Sequence, residues 1–133
     1  MKLFTVEQAN RTLPLVRKIV ADIVDQHRRW REVIVTLDLL ASTQRADEPH
    51  DRAETLEGRA QSLAHEIEEY KRELESLGIL LKDPRQGLID FPAMMAGRRV
   101  LLCWQLGEPD VQYWHEEDAG FRGRQPLSPS LVS

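Results

Sequence analysis

The sequence predicts an α+β fold: a long antiparallel two-helix hairpin, coiled-coil-like, with a small C-terminal antiparallel sheet of about four strands packed on one end. Three observations predict it. Apolar residues recur at alternating spacings of three and four from Val6 to Ala41, and again from Ala53 to Leu77. A polar stretch, "STQRADEPHD", separates the two stripes. After Gly78 the period changes, and the chain breaks into short apolar runs divided by turn residues. The first pattern is that of an amphipathic helix paired with another. The last is that of strands joined by hairpins.

Helix one is expected over 4–41. Thr5 and Gln8 form a capping box at its start, in which each side chain satisfies the other's backbone N–H. Pro14 lies inside the pattern, removes one donor and should bend the helix. His27 is the polar member of the stripe, a position that often fixes register. In "QHRRWR", Trp30 belongs to the stripe and Arg28 and Arg29 to the solvated side. Helix two is expected over 52–77, with Gly78 as its stop. At 1.5 Å per residue, helix one overhangs helix two, so Val6, Ala9 and Leu13 need another cover. The C-terminal third can supply it.

The sheet is expected over 79–115, from "GILLKD", "GLIDFP", "RRVLLCWQL" and "VQYWH", with "PRQG", "AG" and "GEPD" as turns. Closing "GEPD" as a simple loop puts Leu106 opposite Val111, Trp104 opposite Tyr113 and Leu102 opposite His115. That register places His115 on the face toward the helices. Leu101, Cys103 and Trp114 fall on the other face, which needs the C-terminal loop or a second subunit as cover. A closing loop spans 116–127, completing a single domain over 1–127, and 128–133 reads as a disordered tail.

The net charge of −4 is spread over the chain, with 12 basic and 15 acidic groups in residues 1–77 and 6 and 7 in 78–133. This argues against nucleic acid, which needs clustered positive charge. One cysteine, Cys103, excludes an internal disulfide and a cysteine-based zinc cluster. It lies mid-strand and reads as an inert buried thiol. The N-terminus shows no apolar leader and no run is long enough for a bilayer, so no membrane role is expected and the compartment is read as cytoplasmic.

"FTVEQANRTLP", "KDPRQGLIDFP", "LLCWQLGE" and "YWHEEDAGFRGRQPL" occur in that order. In these stretches the chain resembles a family of small prokaryotic proteins known as domain of unknown function twenty-two-oh-three. The resemblance covers most of the chain. It implies the fold and which segments belong together, and it implies no reaction and no ligand.

Chemistry concentrates in the last of these stretches. His115 with the nearby carboxylates Asp118, Glu7 and Asp90 makes a candidate ligand or metal site, with Asn10 and Glu116 as polar support. Imidazole and carboxylates suit a divalent metal such as zinc, iron or manganese. The plainer alternative is a core-edge histidine held by one carboxylate. Arg122 and Arg124, beside the glycines of "DAGFRGR", are candidates for binding an anion, since guanidinium grips phosphate or carboxylate in bidentate fashion. Their plainer role is to pin a loop onto an internal acid.

Two functional readings follow. The preferred one is a structural or protein-interaction module, acting as a homodimer and presenting the hairpin or the outer sheet face to a protein partner. The alternative is a small metal-dependent enzyme or ligand-binding protein with a His/carboxylate/Arg site at the helix–sheet junction. Nothing in the sequence decides whether the chain is an enzyme.

Overall fold

A computed structural model describes residues 2–43 and 51–128. Two helices, α1 (Val6–Thr43) and α2 (Asp51–Ser76), pair as a hairpin. Five strands follow: β1 (Leu80–Asp83), β2 (Leu88–Met95), β3 (Arg98–Gln105), β4 (Tyr113–His115) and β5 (Gln125–Pro126). They form one antiparallel sheet in the order β1-β2-β3-β4-β5. The sheet has one strand more than the apolar pattern indicates. β5 is only Gln125 and Pro126, held on β4 by backbone pairing, and two residues carry no period-two signal. Most of the connecting stretch and of the tail, at 44–50 and 129–133, lies outside the described residues. So does the expectation of a disordered tail.

The helix ends follow from their caps. Gln8 N–H donates to Thr5 Oγ1 and Thr5 N–H to Gln8 Oε1, both at 3.0 Å, so the capping box closes as its residues require. At the C-terminus of α2 Gly78 takes φ 85°, and Ile79 N–H returns to the Leu74 carbonyl at 3.0 Å. This left-handed turn satisfies an orphan carbonyl and aims the chain into β1. α1 runs on through Pro14, which is exposed. Arg28 bonds Asp25 and Glu32, and Arg29 bonds Asp25, which makes this stretch a solvated ladder. Neither helix is long and apolar enough to cross a membrane.

The sheet lays its inner face on the first half of α1. Ala9, Leu13, Val16 and Val20 meet Ile89, Phe91, Leu102 and Trp104 in one buried cluster that also takes in Leu74 and Ile79. This is the cover that the overhanging start of α1 needs. Phe4 N–H bonds the Pro92 carbonyl at 2.7 Å, and Asn10 Oδ1 accepts Val111 N–H at 2.7 Å. The β1–β2 turn approaches α1 closely: a Cβ on Gly87 would lie 2.8 Å from the Leu106 Cβ and 3.0 Å from Val20 Cγ1. Only glycine fits there.

The β2–β3 turn is a two-residue reversal at Ala96 and Gly97, with φ 51° and 78°. Both positive values suit a type I′ turn, which favours Asn-Gly, and a left-handed alanine is strained. Ala96→Asn is expected to raise stability by about 0.5–1 kcal/mol. Urea unfolding checks it, as a higher midpoint at unchanged slope.

The β3–β4 register differs from the one that a simple "GEPD" loop gives. Leu101 pairs His115, Leu102 pairs Trp114 and Cys103 pairs Tyr113. Trp104 instead faces Ile89 across β2. The shift of one residue has a local cause. Glu108 turns back, its carboxylate taking Gln105 N–H at 2.7 Å and its carbonyl the Trp104 indole N–H at 3.1 Å. Val111 is drawn off the ladder by Asn10 and enters the helix-facing core. The loop absorbs one more residue than alternation assumes, and every side chain of β4 changes face. Trp114 goes into the core, and His115 goes to the face turned away from the helices.

Candidate functional site

On that outer face Asp90, Cys103 and His115 converge, one each from β2, β3 and β4. β3 lies between the other two strands, so the bond from His115 to Asp90 crosses above it, beside the Cys103 sulfur. The ligating atoms of all three lie within 4.8 Å of one another, and among the described residues they are the group of three close enough to share one ion. All are buried, at 2%, 1% and 3% exposure. Loop 116–124 folds back over this face, which answers the need for a cover. A cavity of about 230 Å³ remains between loop and sheet, walled by Leu88 and Phe121, with Lys82, Glu117 and Asp118 around it.

The histidine ring is fixed from both sides. Its Nδ1 lies 2.6 Å from the Glu116 carbonyl, which can only accept, so Nδ1 carries a hydrogen. Nε2 then faces Asp90 Oδ1 at 3.0 Å. One proton occupies that line, whichever partner holds it. Asp90 Oδ2 is buried with no hydrogen-bond partner. Burial pushes the Asp90 carboxyl above its usual range, against the pull of the His115 bond. Burial also pushes the Cys103 thiol up to about 11, beside a neighbouring carboxylate. Such a thiol is no nucleophile at neutral pH.

The sequence-selected residues divide. Asp90 and His115 meet directly, and Asp118 lines the same cavity. Glu116 supports the ring through its carbonyl, while its carboxylate pairs with Arg98 at 2.7 Å. Glu7 lies apart, exposed and ion-paired with Arg11 one turn along α1. Asn10 is spent on Val111 and supports the fold. Arg124 makes a two-pronged contact to Glu108, at 3.0 and 2.8 Å, so its charge is matched within the protein. Arg122 is exposed on the 3-10 turn Phe121–Gly123, and the two arginines form no shared anion cradle there. The site is therefore on the outer sheet face, not at the helix–sheet junction, because the register shift turned His115 over.

Cys103 is the member that sequence reasoning set aside. The simple register puts it on the face opposite His115, which hides the pairing. One signal could have found it. Taking Trp114, rather than Tyr113, as the core aromatic of "QYWH" moves His115 and Cys103 to the same face.

No curated protein and no solved structure matches the chain. A family does: residues 2–127 match the one described as an uncharacterized conserved protein, DUF2203, and the chain belongs to that family.

Proposed function

We propose that the protein is a small metal-dependent protein whose centre is Asp90, Cys103 and His115, with zinc as the favoured ion. The observation that carries this is the convergence of a thiol, an imidazole and a carboxyl, each from a different strand, in a buried site that keeps an orphan oxygen. Burying three polar groups on a face with Leu88 and Leu101 is costly unless they share a partner. A cation supplies one. It replaces the proton between Nε2 and Oδ1 and stabilises the Cys103 thiolate that burial otherwise disfavours. The Nδ1–H bond to a backbone carbonyl is the support that metal-bound histidines ordinarily have.

Geometry agrees with chemistry. Ligands about 2.0–2.3 Å from a tetrahedral ion lie roughly 3.3–3.8 Å from each other. The Nε2–Oδ1 line, at 3.0 Å, needs to open by a few tenths of an ångström, and no pair needs to close by more than about 1 Å. Sulfur in the set favours zinc over manganese. Three protein ligands leave a fourth position, toward the cavity with Glu117 and Asp118. An exchangeable water or ligand there is the arrangement of catalytic rather than closed structural zinc.

The test is zinc binding by protein purified without a histidine tag, followed by elemental analysis and calorimetry. The wild type is expected to hold one ion per chain and release protons on binding, since the Cys103 thiol must ionise. Cys103→Ser and His115→Ala are expected to bind zinc roughly 100-fold more weakly, read at a temperature where circular dichroism shows each variant still folded, since His115→Ala also lowers stability. A wild type that takes up no zinc, cobalt or iron would sink the reading.

A second reading has its own support. Among the described residues, the hairpin beyond the sheet is α1 and α2 alone. Its small core is Val33, Ala60 and Leu63, with Trp30, Ile34, Leu37 and Leu56 half-buried and Val35 and Leu39 exposed. A second copy packing its hairpin on this one would complete a four-helix bundle. Light scattering at micromolar concentration is then expected to give twice 15.4 kDa. A mass that stays at one chain as concentration rises would remove the dimer.

A further inference from the structure

Arg124 is more firmly held than loop anchoring requires. Nη1 and Nη2 donate to the two carboxylate oxygens of Glu108. The guanidinium carbon lies 3.9 Å from the Tyr113 ring centroid and 4.8 Å from that of Phe121. Glu108 is itself fixed, by Gln105 N–H on its carboxylate and the Trp104 indole on its carbonyl. One donor remains: Arg124 Nε is buried and has no hydrogen-bond partner. Tyr113 is the cross-strand partner of Cys103, so a guanidinium lying on Tyr113 stands beside the Cys103 sulfur. The guanidinium favours the ionised Cys103 sulfur, and that sulfur favours the charged guanidinium.

We propose that Arg124 is a positioning residue for the metal centre, its Nε–H donating to the Cys103 sulfur once that sulfur binds the ion. The inference rests on the metal reading above. A neutral thiol is a weak acceptor, and a metal-bound thiolate is a strong one. The orphan N–H is thus satisfied in the loaded state and unsatisfied in the empty one. The guanidinium also faces sulfur without adding net charge to the centre, because Glu108 balances it. Partners of this kind around a ligand typically change metal affinity 10–100-fold. The plain alternative is that the Glu108–Arg124 pair only ties the C-terminal loop to the β3–β4 loop.

Cobalt(II) substitution separates the two, because the thiolate-to-cobalt charge-transfer band reports hydrogen bonding to the sulfur. Arg124→Lys and Arg124→Gln are expected to bind cobalt 10–100-fold more weakly and to move this band to lower energy. Glu108→Gln loosens the same loop but keeps the Nε–H, and is expected to leave the band in place. If all three variants lower the melting temperature alike, with the wild-type band and affinity retained, Arg124 only anchors the loop and the proposal is overturned. A second measurement needs no variant. In the wild type, the Arg124 Hε resonance is expected to move downfield when zinc is added, and an unmoved resonance in a zinc-loaded sample overturns the proposal. A wild type that shows no cobalt band and binds no zinc instead overturns the metal reading, and this inference with it.

Discussion

Trp104→Ala is expected to cost about 3–5 kcal/mol, the range for truncating a large buried aromatic. Trp104 is fully buried at the middle of the sheet's inner face, in the cluster that joins β2 and β3 to the first half of α1. The indole fills space that its neighbours cannot collapse into, because Ile89 and Val20 are held by a strand and a helix. Its N–H also anchors the Glu108 carbonyl, and with it the loop that sets the β3–β4 register. Total stability for a domain of this size is about 5–15 kcal/mol, so this one change removes a large share of it. Trp104→Phe keeps much of the volume and loses the indole bond, and is expected to cost roughly 1–3 kcal/mol. Urea unfolding measures both. A Trp104→Ala loss below about 1 kcal/mol would show that the indole does not fill the core as described.

Breaking the Asp90–His115 pair is expected to cost a similar amount in metal-free protein, and removing both partners is expected to cost less than removing one. Both side chains are 3% exposed, so either one left alone is a buried polar group without its partner. Such single losses run to about 3–5 kcal/mol, whereas replacing both partners by apolar groups is often close to neutral. Asp90→Val and His115→Leu are each expected to destabilise strongly. The double variant is expected to lie within about 2 kcal/mol of wild type, a coupling that a thermodynamic cycle reads directly. It is also expected to bind no zinc. This combination distinguishes a metal centre from a histidine that merely braces the sheet: the pair is dispensable for folding and required for the ion. Single variants within about 1 kcal/mol of wild type would mean that the pair is solvated.

The two predictions depend on different kinds of information. Local sequence carries the helices: Thr5 and Gln8 cap α1, the stripes set the buried faces, and Gly78 ends the hairpin, each through contacts within a few residues. It also carries the turns at Pro84–Gly87 and Ala96–Gly97, where proline fixes φ at Pro84, and Gly87 and Gly97 admit the positive φ that the reversals need. For the site, it selects Asp90, His115 and Asp118 as chemistry-bearing residues near the sheet. It cannot select among Glu7, Asp118 and Cys103 as the third partner, because these are separated by strand pairings that residue types leave open.

Tertiary structure decided the face. A strand pair tolerates either register wherever both faces carry apolar residues, and β3 and β4 do, with Leu101 and Leu102 adjacent and Tyr113 beside Trp114. The choice was made by contacts that periodicity does not show: Asn10 on α1, 101 residues away in the chain, taking Val111 N–H, and Glu108 folding back under Trp104 within the loop. Because side chains alternate along a strand, one residue of slip carries His115 from the helix-facing core to the outer face, where Cys103 and Asp90 already stand. The sequence by itself determined the two helices, the first four strands, their order and most of the polar candidates. Only the folded chain determined which of those candidates touch, since that depended on a loop length in space and not on any periodicity.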